Sequence, residues 1–303
     1  MSATPRLCIV TPSFNQGKYI SRTIESIFAQ DVDGLEYMVV DGGSTDNTIS
    51  VLESYGDRLH WLSERDRGPS DAINKGFLRS SAPILGWLNS DDIYYPGALR
   101  TVLDYFEKHP EVDVLYGEAN HIDATDAVIE RYPTEDWNWE RLKETCFISQ
   151  PATFFRRRVF EQFGPLAVGV RCMDYEYWLR LGKSGVRFVH LPTLIAATRL
   201  HPEAFSIAGR VAGHAEVNTF TRKHLSRTPD QWLFSYAHAV AESRGYNRTK
   251  PFRFLSVLIG YSIYAAIRWN GRVSIGMFKI IAEWIAGHLA EAIHRIPRMG
   301  GSE

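Results

Sequence analysis

The sequence predicts an α/β fold, in which a mixed sheet is flanked by helices, followed by a helical C-terminal extension. Two observations support this prediction. Over residues 7–109, short apolar runs alternate with segments of helical spacing, a pattern typical of parallel strands covered by helices. Beyond residue 250, apolar residues recur at helical spacing alone. We therefore predict an α/β domain at residues 1–210 and a helical extension at residues 211–303.

The first half of the α/β domain contains four predicted strands that are connected by helices. The strands are predicted at 7–11, 35–40, 59–62 and 84–88, and the helices at 20–29, 48–55 and 72–79. Polar groups mark the ends of three strands, at Thr11-Pro12, at Asp41 and at Asp91-Asp92. Because ligands bind outside the carboxyl ends of parallel strands, we expect these residues to face one crevice. For Asp41 alone, a helix cap is an equal alternative.

Two adjacent carboxylates, Asp91 and Asp92, follow the fourth predicted strand. Side by side they repel each other unless a cation lies near, and a hard divalent ion binds one or two carboxylates together with phosphate oxygens. The alternative is that Asp91 caps the next helix and Asp92 is solvated in its first turn. The chain has neither a GxGxxG nor a GxxxxGK[ST] motif, so a metal and basic side chains would have to neutralise any phosphate.

The second half of the domain has a different pattern. After a helix at 97–109, short strands are predicted at 114–116, 119–123, 128–131, 186–191 and 194–198, with an extended segment at 149–155. Short strands separated by turns indicate a mixed sheet. We interpret Arg156, Arg157 and Arg158 as a solvated face at the start of a helix, with phosphate binding as the alternative.

Two further polar residues of this half have a structural and a functional interpretation. Asp174 lies in the first turn of a predicted helix, where the helix dipole favours an acid; the functional alternative is a general base. His201 follows the last predicted strand. A lone histidine is more often a structural hydrogen-bonding residue than a ligand of a metal or a phosphate.

Composition narrows the classes of partner and site. The net charge is -1, so no overall attraction to nucleic acid is expected. The three cysteines, Cys8, Cys146 and Cys172, lack CxxC spacing, which argues against a zinc site or a disulfide framework and favours a cytoplasmic location. No run reaches the ~20 apolar residues of a membrane span.

The extension is predicted to be a basic helical hairpin. Residues 252–269 are apolar, Asn270-Gly271 marks a turn, residues 273–296 have helical spacing, and eight Lys and Arg face two Glu between residues 248 and 298. One interpretation is a hairpin that packs on the α/β domain or on a second subunit, as in a homodimer. The other is a peripheral membrane anchor, because a basic amphipathic helix carrying Trp284 is attracted to anionic membranes.

An ordered series of motifs between residue 6 and about residue 205 resembles that of family 2 glycosyltransferases with the GT-A fold. The motifs are Thr11-Pro12-Ser13-Phe14-Asn15, DGGSTD at 41–46, ERDRG at 64–68 with DAINKG at 71–76, NSDD at 89–92, Gln150-Pro151 and MDYEYWLR at 173–180. The resemblance implies a Rossmann-like, nucleotide-diphospho-sugar transferase fold for this region. The last hundred residues have no such resemblance.

The resemblance also implies roles for individual residues. Those assigned to the nucleotide pocket are Thr11, Pro12, Asp41, Asp71, Lys75 and Asp91, the last facing the ribose or a metal-bound water. Asp92 is assigned to a divalent cation, Mn or Mg, and His201 to the same metal near the diphosphate. Asp174 is assigned to the general base. Met173 stands where many relatives have an acid, which removes a neighbour that could tune the pKa of Asp174.

The implied activity is transfer of a sugar, with inversion, from a nucleotide-diphospho-sugar to an acceptor hydroxyl. A divalent cation would stabilise the charge that develops on the leaving group. UDP is favoured over GDP and dTDP, and a glycan or lipid-linked acceptor in cell-surface polysaccharide synthesis is expected. We expect action at the cytoplasmic face of the membrane. The alternative is a non-catalytic nucleotide-sugar-binding protein on the same fold.

Overall fold

A mixed sheet of nine strands runs through the part of the chain that this computed structural model describes, residues 4–201 and 209–294, with side chains as far as residue 287. The strands are β1 (Leu7–Ser13), β2 (Leu35–Asp41), β3 (His60–Ser63), β4 (Ile84–Trp87), β5 (Ile93–Tyr94), β6 (Val114–Ile122), β7 (Val128–Arg131), β8 (Thr153–Arg156) and β9 (Phe188–Arg199). Their order is β3-β2-β1-β4-β8-β6-β9-β5, and β7 pairs with β6.

The sheet combines a parallel and a mixed half. Strands β1 to β4 are parallel to one another, β8 is antiparallel to both β4 and β6, and β6 is parallel to β9. The predicted mixed sheet is therefore confirmed. Since β1, β2 and β4 are parallel neighbours, their carboxyl ends lie at the same edge, which is the arrangement that the polar residues after these strands predicted.

Seven α-helices lie between the strands in residues 4–201. They are α1 (Ile20–Phe28), α2 (Thr48–Glu53), α3 (Pro69–Arg79), α4 (Ala98–Lys108), α5 (Trp139–Glu144), α6 (Arg157–Phe163) and α7 (Met173–Lys183). Their apolar residues are buried at helical spacing. Helix α3 packs closely on β1, because a Cβ atom at Gly76 would come within 2.5 Å of a Val10 methyl group.

The chain divides into two compact units, Met1–Leu142 with Cys146–Ala208, and Lys143–Thr145 with Gly209–Glu303. The second contains α8 (Arg210–Leu225), α9 (Asp230–Ser243), α10 (Pro251–Asn270) and α11 (Ile275–His294). One apolar core of this unit is formed by Leu233, Phe234, Ala265, Ala266, Met277 and Ile281. No described helix has both the length and the apolar character that crossing a membrane requires. Residues 295–296 of the predicted last helix lie outside the described ranges.

Two predicted pairs of short strands are single strands in the structure. Residues 114–116 and 119–123 fall largely in β6, and residues 186–191 and 194–198 in β9. The two strands are in register at Tyr116 with His190 and again at Glu118 with Leu194, so Gly117 opposes three residues of β9 in a bulge. Pro192 lies within this bulge. A proline has no N–H group to donate to a neighbouring strand, and inside the bulge none is needed. The sequence therefore suggested an end of the strand at Pro192 where the structure has only a local irregularity.

The interpretation of the three consecutive arginines was wrong for two of them. The Arg156 guanidinium donates hydrogen bonds to the carbonyl oxygens of Val112, Phe106 and His109. The Arg157 guanidinium donates to the carbonyl oxygens of Ala82 and Phe77. Only Arg158 is exposed. The first two arginines therefore neither form a solvated face nor remain available to a phosphate, because they satisfy carbonyl groups at the ends of other elements.

Candidate active site

The loop after β2 is held together by the Asp41 carboxylate. Asp41 is fully buried. Its Oδ2 accepts hydrogen bonds from the backbone amides of Gly43 and Ser44 at 3.0 and 2.8 Å and from Ser63 Oγ at 2.7 Å, and its Oδ1 accepts from Ser44 Oγ at 2.5 Å. Gly43 has a φ of 85°, a conformation that favours glycine. Asp41 therefore shapes the turn, and its predicted contact with a nucleotide stays a prediction.

The loop after β1 is tied to the loop after β2. Asn15 Oδ1 accepts a hydrogen bond from the Thr45 amide at 2.8 Å, and the Asn15 amide donates to Ser44 Oγ at 2.7 Å. Thr11 and Pro12 are buried at the end of β1, where Thr11 Oγ1 lies 3.3 Å from the Tyr37 hydroxyl. In contrast, Phe14 is 59% exposed. An aromatic ring is thus presented to solvent from an otherwise polar, well-bonded pair of loops.

The start of α3 carries a network of charged side chains. Asp71 Oδ1 accepts a hydrogen bond from the Arg67 guanidinium at 2.8 Å, and this bond is the main cause of a lowered pKa at Asp71. Lys75 Nζ lies 2.8 Å from Glu64 and 3.6 Å from Asp71 Oδ2. The structure therefore brings the predicted pair Asp71 and Lys75 together, with Asp71 held in its charged form.

The two adjacent acids after β4 have different environments. Asp92 is 1% exposed. Its Oδ1 accepts from the Arg199 amide at 2.9 Å and its Oδ2 from Asn89 Nδ2 at 3.1 Å. Burial, followed by the nearby charge of Asp91, raises the pKa of Asp92. Both Asp92 oxygens are therefore engaged with protein donors, and the charged form of this acid is disfavoured.

Asp91 has the more open carboxylate of the pair. Its side chain is 17% exposed, and its Oδ2 lies 3.0 Å from His201 Nε2. The His201 side chain is 4% exposed, and its ring lies 4.9 Å from the ring of Tyr19. A carboxylate oxygen and an imidazole nitrogen thus converge at one point beside the carboxyl end of β4.

Arg199 positions the acid pair, a role that the sequence did not reveal. Its side chain is completely buried. Its Nε donates to the Asp91 carbonyl oxygen at 2.8 Å, and its guanidinium also contacts the carbonyl oxygen of Asp123 at 2.6 Å and the carboxylate of Asp126 at 2.5 Å. One side chain therefore joins the acid pair to the turn after β6. The available signal was a charged residue at the end of an apolar strand, directly before Leu200 and His201.

A divalent cation could bind at Asp91 and His201. Carboxylate oxygen and imidazole nitrogen are both ligands of Mn, and a cation in a nucleotide site commonly has few protein ligands and completes its coordination with phosphate oxygens and water. Within residues 4–201 and 209–287, there is no cluster of three or more metal-ligating side chains. The donor set therefore fits a cation that is shared with a diphosphate, and it does not fit a closed structural metal site.

Asp174 lies in the first turn of α7, as predicted. Burial raises the pKa of its carboxyl group, and hydrogen bonds with the amides of Tyr175 and of Asp174 itself oppose this shift only in part. The charge of Asp174 contributes to the raised pKa values of Tyr132 and Cys146, after their own burial. The carboxylate is thus poorly solvated, which strengthens it as a proton acceptor.

The segment 146–150 is hydrogen-bonded at both of its ends. The Tyr132 hydroxyl donates to the Cys146 carbonyl oxygen at 3.0 Å. Gln150, four residues further along the chain, lies with its Oε1 2.9 Å from Asn89 Nδ2, and its Nε2 donates to the Trp87 carbonyl oxygen at 2.8 Å. The Gln150-Pro151 motif therefore braces the loop that carries Asp91 and Asp92.

Sequence comparison identifies the family. The model of glycosyl transferase family 2 matches residues 8–164. An uncharacterized glycosyltransferase of Nostoc sp. is 26% identical over 53% of this chain and 54% of its own length, and the chondroitin synthase of Escherichia coli is 28% identical over 68% of this chain and 31% of its own. The chain thus spans between a third and about half of these relatives' length.

Structural comparison agrees with the fold. S. aureus TarS 1-349, solved in complex with UDP-GlcNAc, has a TM-score of 0.61 and 17% identity, with 86% of this chain and 81% of that one covered. The mannosyltransferase PcManGT from Pyrobaculum calidifontis, solved with GDP-Man and Mn2+, has a TM-score of 0.58 and 16% identity, covering 94% and 81%. The predicted GT-A fold is confirmed, and the chain belongs to glycosyl transferase family 2.

Proposed function

We propose that the chain transfers a sugar from a nucleotide-diphospho-sugar to an acceptor hydroxyl with inversion. The observation that carries this proposal is the pair of Asp91 and His201, whose Oδ2 and Nε2 atoms lie 3.0 Å apart after β4. They share this edge of the sheet with the two loops that Asp41 and Asn15 hold in place. A diphosphate with its cation would fit this combination of ligands.

Asp91 and His201 are the proposed ligands of Mn or Mg. The family resemblance assigned the metal to Asp92 and His201, whereas we favour Asp91 in place of Asp92 because both Asp92 oxygens already accept hydrogen bonds in a buried site. Asp92 would instead hold the Arg199 amide and thereby the strand that leads to His201. When bound, the cation offsets negative charge on the departing diphosphate.

The nucleotide is proposed to lie between the loops after β1 and β2 and the start of α3. Phe14 would stack on the base, since it is the exposed aromatic residue of the first loop. Asp71 and Lys75 would contact the nucleoside, with Asp41, Thr11 and Pro12 forming the floor. UDP is proposed over GDP and dTDP; structural neighbours with either UDP-GlcNAc or GDP-Man exist.

Asp174 is the proposed general base. The acceptor hydroxyl must lose a proton as it attacks the anomeric carbon, and a poorly solvated carboxylate accepts that proton readily. The C–O bond to the acceptor forms as the bond from the sugar to the diphosphate breaks, and the proton passes to Asp174. A single displacement without an enzyme nucleophile inverts the anomeric configuration.

The acceptor is proposed to be a glycan or a lipid-linked glycan used in cell-surface polysaccharide synthesis. The relatives include a chondroitin synthase and a mycobacterial PGL/p-HBAD biosynthesis glycosyltransferase, the latter 29% identical over 59% of this chain and 70% of its own. Action at the cytoplasmic face of a membrane would fit such an acceptor, and the basic helical unit supplies the means of attachment.

A donor screen tests the proposal. The full chain is heated with UDP-, GDP- and dTDP-sugars, with Mn2+ or with a chelator, because a ligand that binds only the folded protein raises its apparent stability. We expect stabilisation by a UDP-sugar that requires the metal and is lost in Asp91→Asn. Asp57→Asn, which changes an exposed acid, is the matched control. Donor binding without any product from a panel of glycan acceptors would favour the non-catalytic alternative.

A further inference from the structure

A pocket of about 410 Å³ lies in the helical unit, between the end of α9 and the start of α10. It is lined by Arg244, Gly245, Tyr246, Asn247, Thr249, Lys250, Arg253 and Phe254. Three of these residues are cations and none is an acid. The pocket therefore has the charge of an anion-binding site.

The cations of the pocket have no carboxylate partner among the residues that the structure describes. The acid nearest to them along the chain, Glu242, is paired with Arg210 at 2.5 Å. The guanidinium of Arg244 lies over the ring of Tyr261 and that of Arg253 over the ring of Tyr246, both at 5.1 Å. Such stacking fixes a guanidinium plane while its N–H edges remain able to donate, which is suited to the oxygens of a phosphate.

An exposed apolar face begins beside this pocket. Phe252, which lies between Lys250 and Arg253 in the chain, is 53% exposed, and Tyr264 and Ile267 further along α10 are 48% and 57% exposed. At 100° per residue these three positions fall on one side of the helix. A soluble phosphate would use the pocket alone, whereas a phospholipid would use both the pocket and the apolar face.

Charge argues against a second copy of the chain as the occupant of this face. Residues 209–287 contain eleven Lys and Arg against four Asp and Glu. Two copies that met through this unit would bring like charges together. The surface of an anionic membrane has the complementary charge.

We propose that the pocket of Arg244, Lys250 and Arg253 binds the phosphate group of an anionic phospholipid, with the exposed face of α10 against the acyl region. The inference concerns the helical unit alone and goes beyond the proposed transfer reaction. It assigns a defined headgroup site to a unit for which the sequence indicated only a general attraction to membranes.

Vesicle sedimentation of the full chain tests this site. The vesicles are phosphatidylcholine alone or phosphatidylcholine mixed with phosphatidylglycerol. The pocket variant is Arg244→Gln with Lys250→Gln and Arg253→Gln, and the matched control is Arg222→Gln with Lys223→Gln and Arg227→Gln, which removes three exposed charges from the same unit. Since each basic side chain at an anionic surface strengthens binding by about fivefold, the pocket variant should partition about a hundredfold more weakly. The control should lose far less.

Each contrary result has a clear meaning. Equal losses in the two triple variants, or equal binding to both kinds of vesicle, would overturn a defined headgroup pocket. Inorganic phosphate competes with a lipid headgroup for the same cations, so its affinity is measured with and without mixed vesicles. An affinity that the vesicles leave unchanged would assign the pocket to a soluble phosphate. If sedimentation velocity detects a dimer and the protein does not bind to vesicles, the exposed face of α10 would be assigned to a second copy of the chain.

The variants are also tested for donor binding. Thermal stabilisation by the donor should be unchanged in both triple variants, which shows that they fold and separates this proposal from the proposed transfer reaction. If the pocket triple variant does not fold, Arg253→Gln alone is compared with Arg227→Gln, and the expected difference falls to about fivefold.

Discussion

The charged residues discussed above have different kinds of partner in the two units. In the α/β unit, the carboxylates of Asp41 and Asp92 accept hydrogen bonds on both oxygens from protein donors. The guanidinium of Arg199 contacts two carbonyl oxygens and a carboxylate. In the helical unit, Arg244 and Arg253 stack on tyrosine rings and have no carboxylate partner within the described residues.

This difference separates residues that build a site from residues that bind its ligand. Removing a charge from water is costly unless hydrogen bonds replace the lost hydration, so a buried acid with both oxygens bonded is committed to the structure. Asp91, whose side chain is 17% exposed, and Phe14, which is 59% exposed, are accessible to a ligand, and Asp174 is the proposed base. We therefore predict that substitutions of Asp91, Asp174 or Phe14 change the activity or the binding of the donor. Substitutions of Asp92 or Arg199 should act first on the structure of the site.

The largest effect is expected at Asp174. Asp174→Asn removes the proposed proton acceptor without a change of size, and kcat should fall by about 10²- to 10⁴-fold, while thermal stabilisation by the donor stays the same. Because burial raises the pKa of Asp174, the wild-type carboxylate loses its proton only at a higher pH than an exposed acid. The kcat of the wild type should therefore rise with pH through this pKa.

Asp57→Asn is the control for this measurement, since Asp57 is an exposed acid of the same unit. A kcat for Asp174→Asn near that of the control would remove Asp174 from the role of base. Loss of donor-induced stabilisation in Asp174→Asn would instead indicate that the residue holds the donor pocket together.

The next effect separates the two adjacent acids. Asp91→Asn should weaken metal-dependent donor binding at least about a hundredfold, because changes in residues that only support metal ligands already cost 10- to 100-fold. Asp92→Asn keeps an oxygen that can accept from the Arg199 amide, so its effect should be smaller. Isothermal titration of Mn2+ in the presence of a donor distinguishes them. The reverse ranking would restore the assignment of the metal to Asp92 that the sequence indicated.

Arg199 should affect stability more than any catalytic step. In Arg199→Lys, a single ammonium group cannot make all three contacts of the guanidinium. At least one carbonyl oxygen, that of Asp91 or that of Asp123, therefore loses its hydrogen-bond donor. The expected cost is about 1–3 kcal/mol in the free energy of unfolding, measured by urea denaturation. Arg158→Lys changes an exposed pair with Asp113 and should cost less than about 1 kcal/mol. An equal decrease in the free energy of unfolding for Arg199→Lys and Arg158→Lys would show that the buried contacts of Arg199 add no stability.

The sequence predicted the parallel half of the sheet well because its signals are local. Strands β1, β2 and β4 are short, mostly apolar runs that end in or shortly before polar residues, and a helix follows each of β1 and β2 in the chain. The same reasoning split β6 and β9 at Gly117 and Pro192, because a bulge and a chain turn have the same residue signature. A bulge is distinguished from a turn only by the neighbouring strand, which pairs with the chain on both sides of a bulge.

The positions of the candidate site residues were more predictable than their environments. The sequence singled out Asp91, Asp92 and His201, and the structure brings Asp91 and His201 together. Which of the two acids is more open, however, depends on a hydrogen bond from the amide of Arg199, a residue 107 positions beyond Asp92 in the chain. A contact of this sequence separation has no signature in the spacing of residues. Arg199 itself was missed for the same reason, since its side-chain partners Asp91, Asp123 and Asp126 lie on two loops that are distant in sequence.

The smallest effect, and the sharpest test of the comparison, is expected at Phe14. Because the ring is 59% exposed, Phe14→Ala should leave the free energy of unfolding unchanged. If the ring stacks on the nucleotide base, the KM for the donor should rise about tenfold with kcat preserved, since base stacking on an aromatic side chain contributes about 1–3 kcal/mol. Leu78→Ala, which removes a 73% exposed apolar side chain from α3, is the control. An unchanged KM would place the base elsewhere, and exposure within a bonded loop would then not by itself identify a ligand-binding residue.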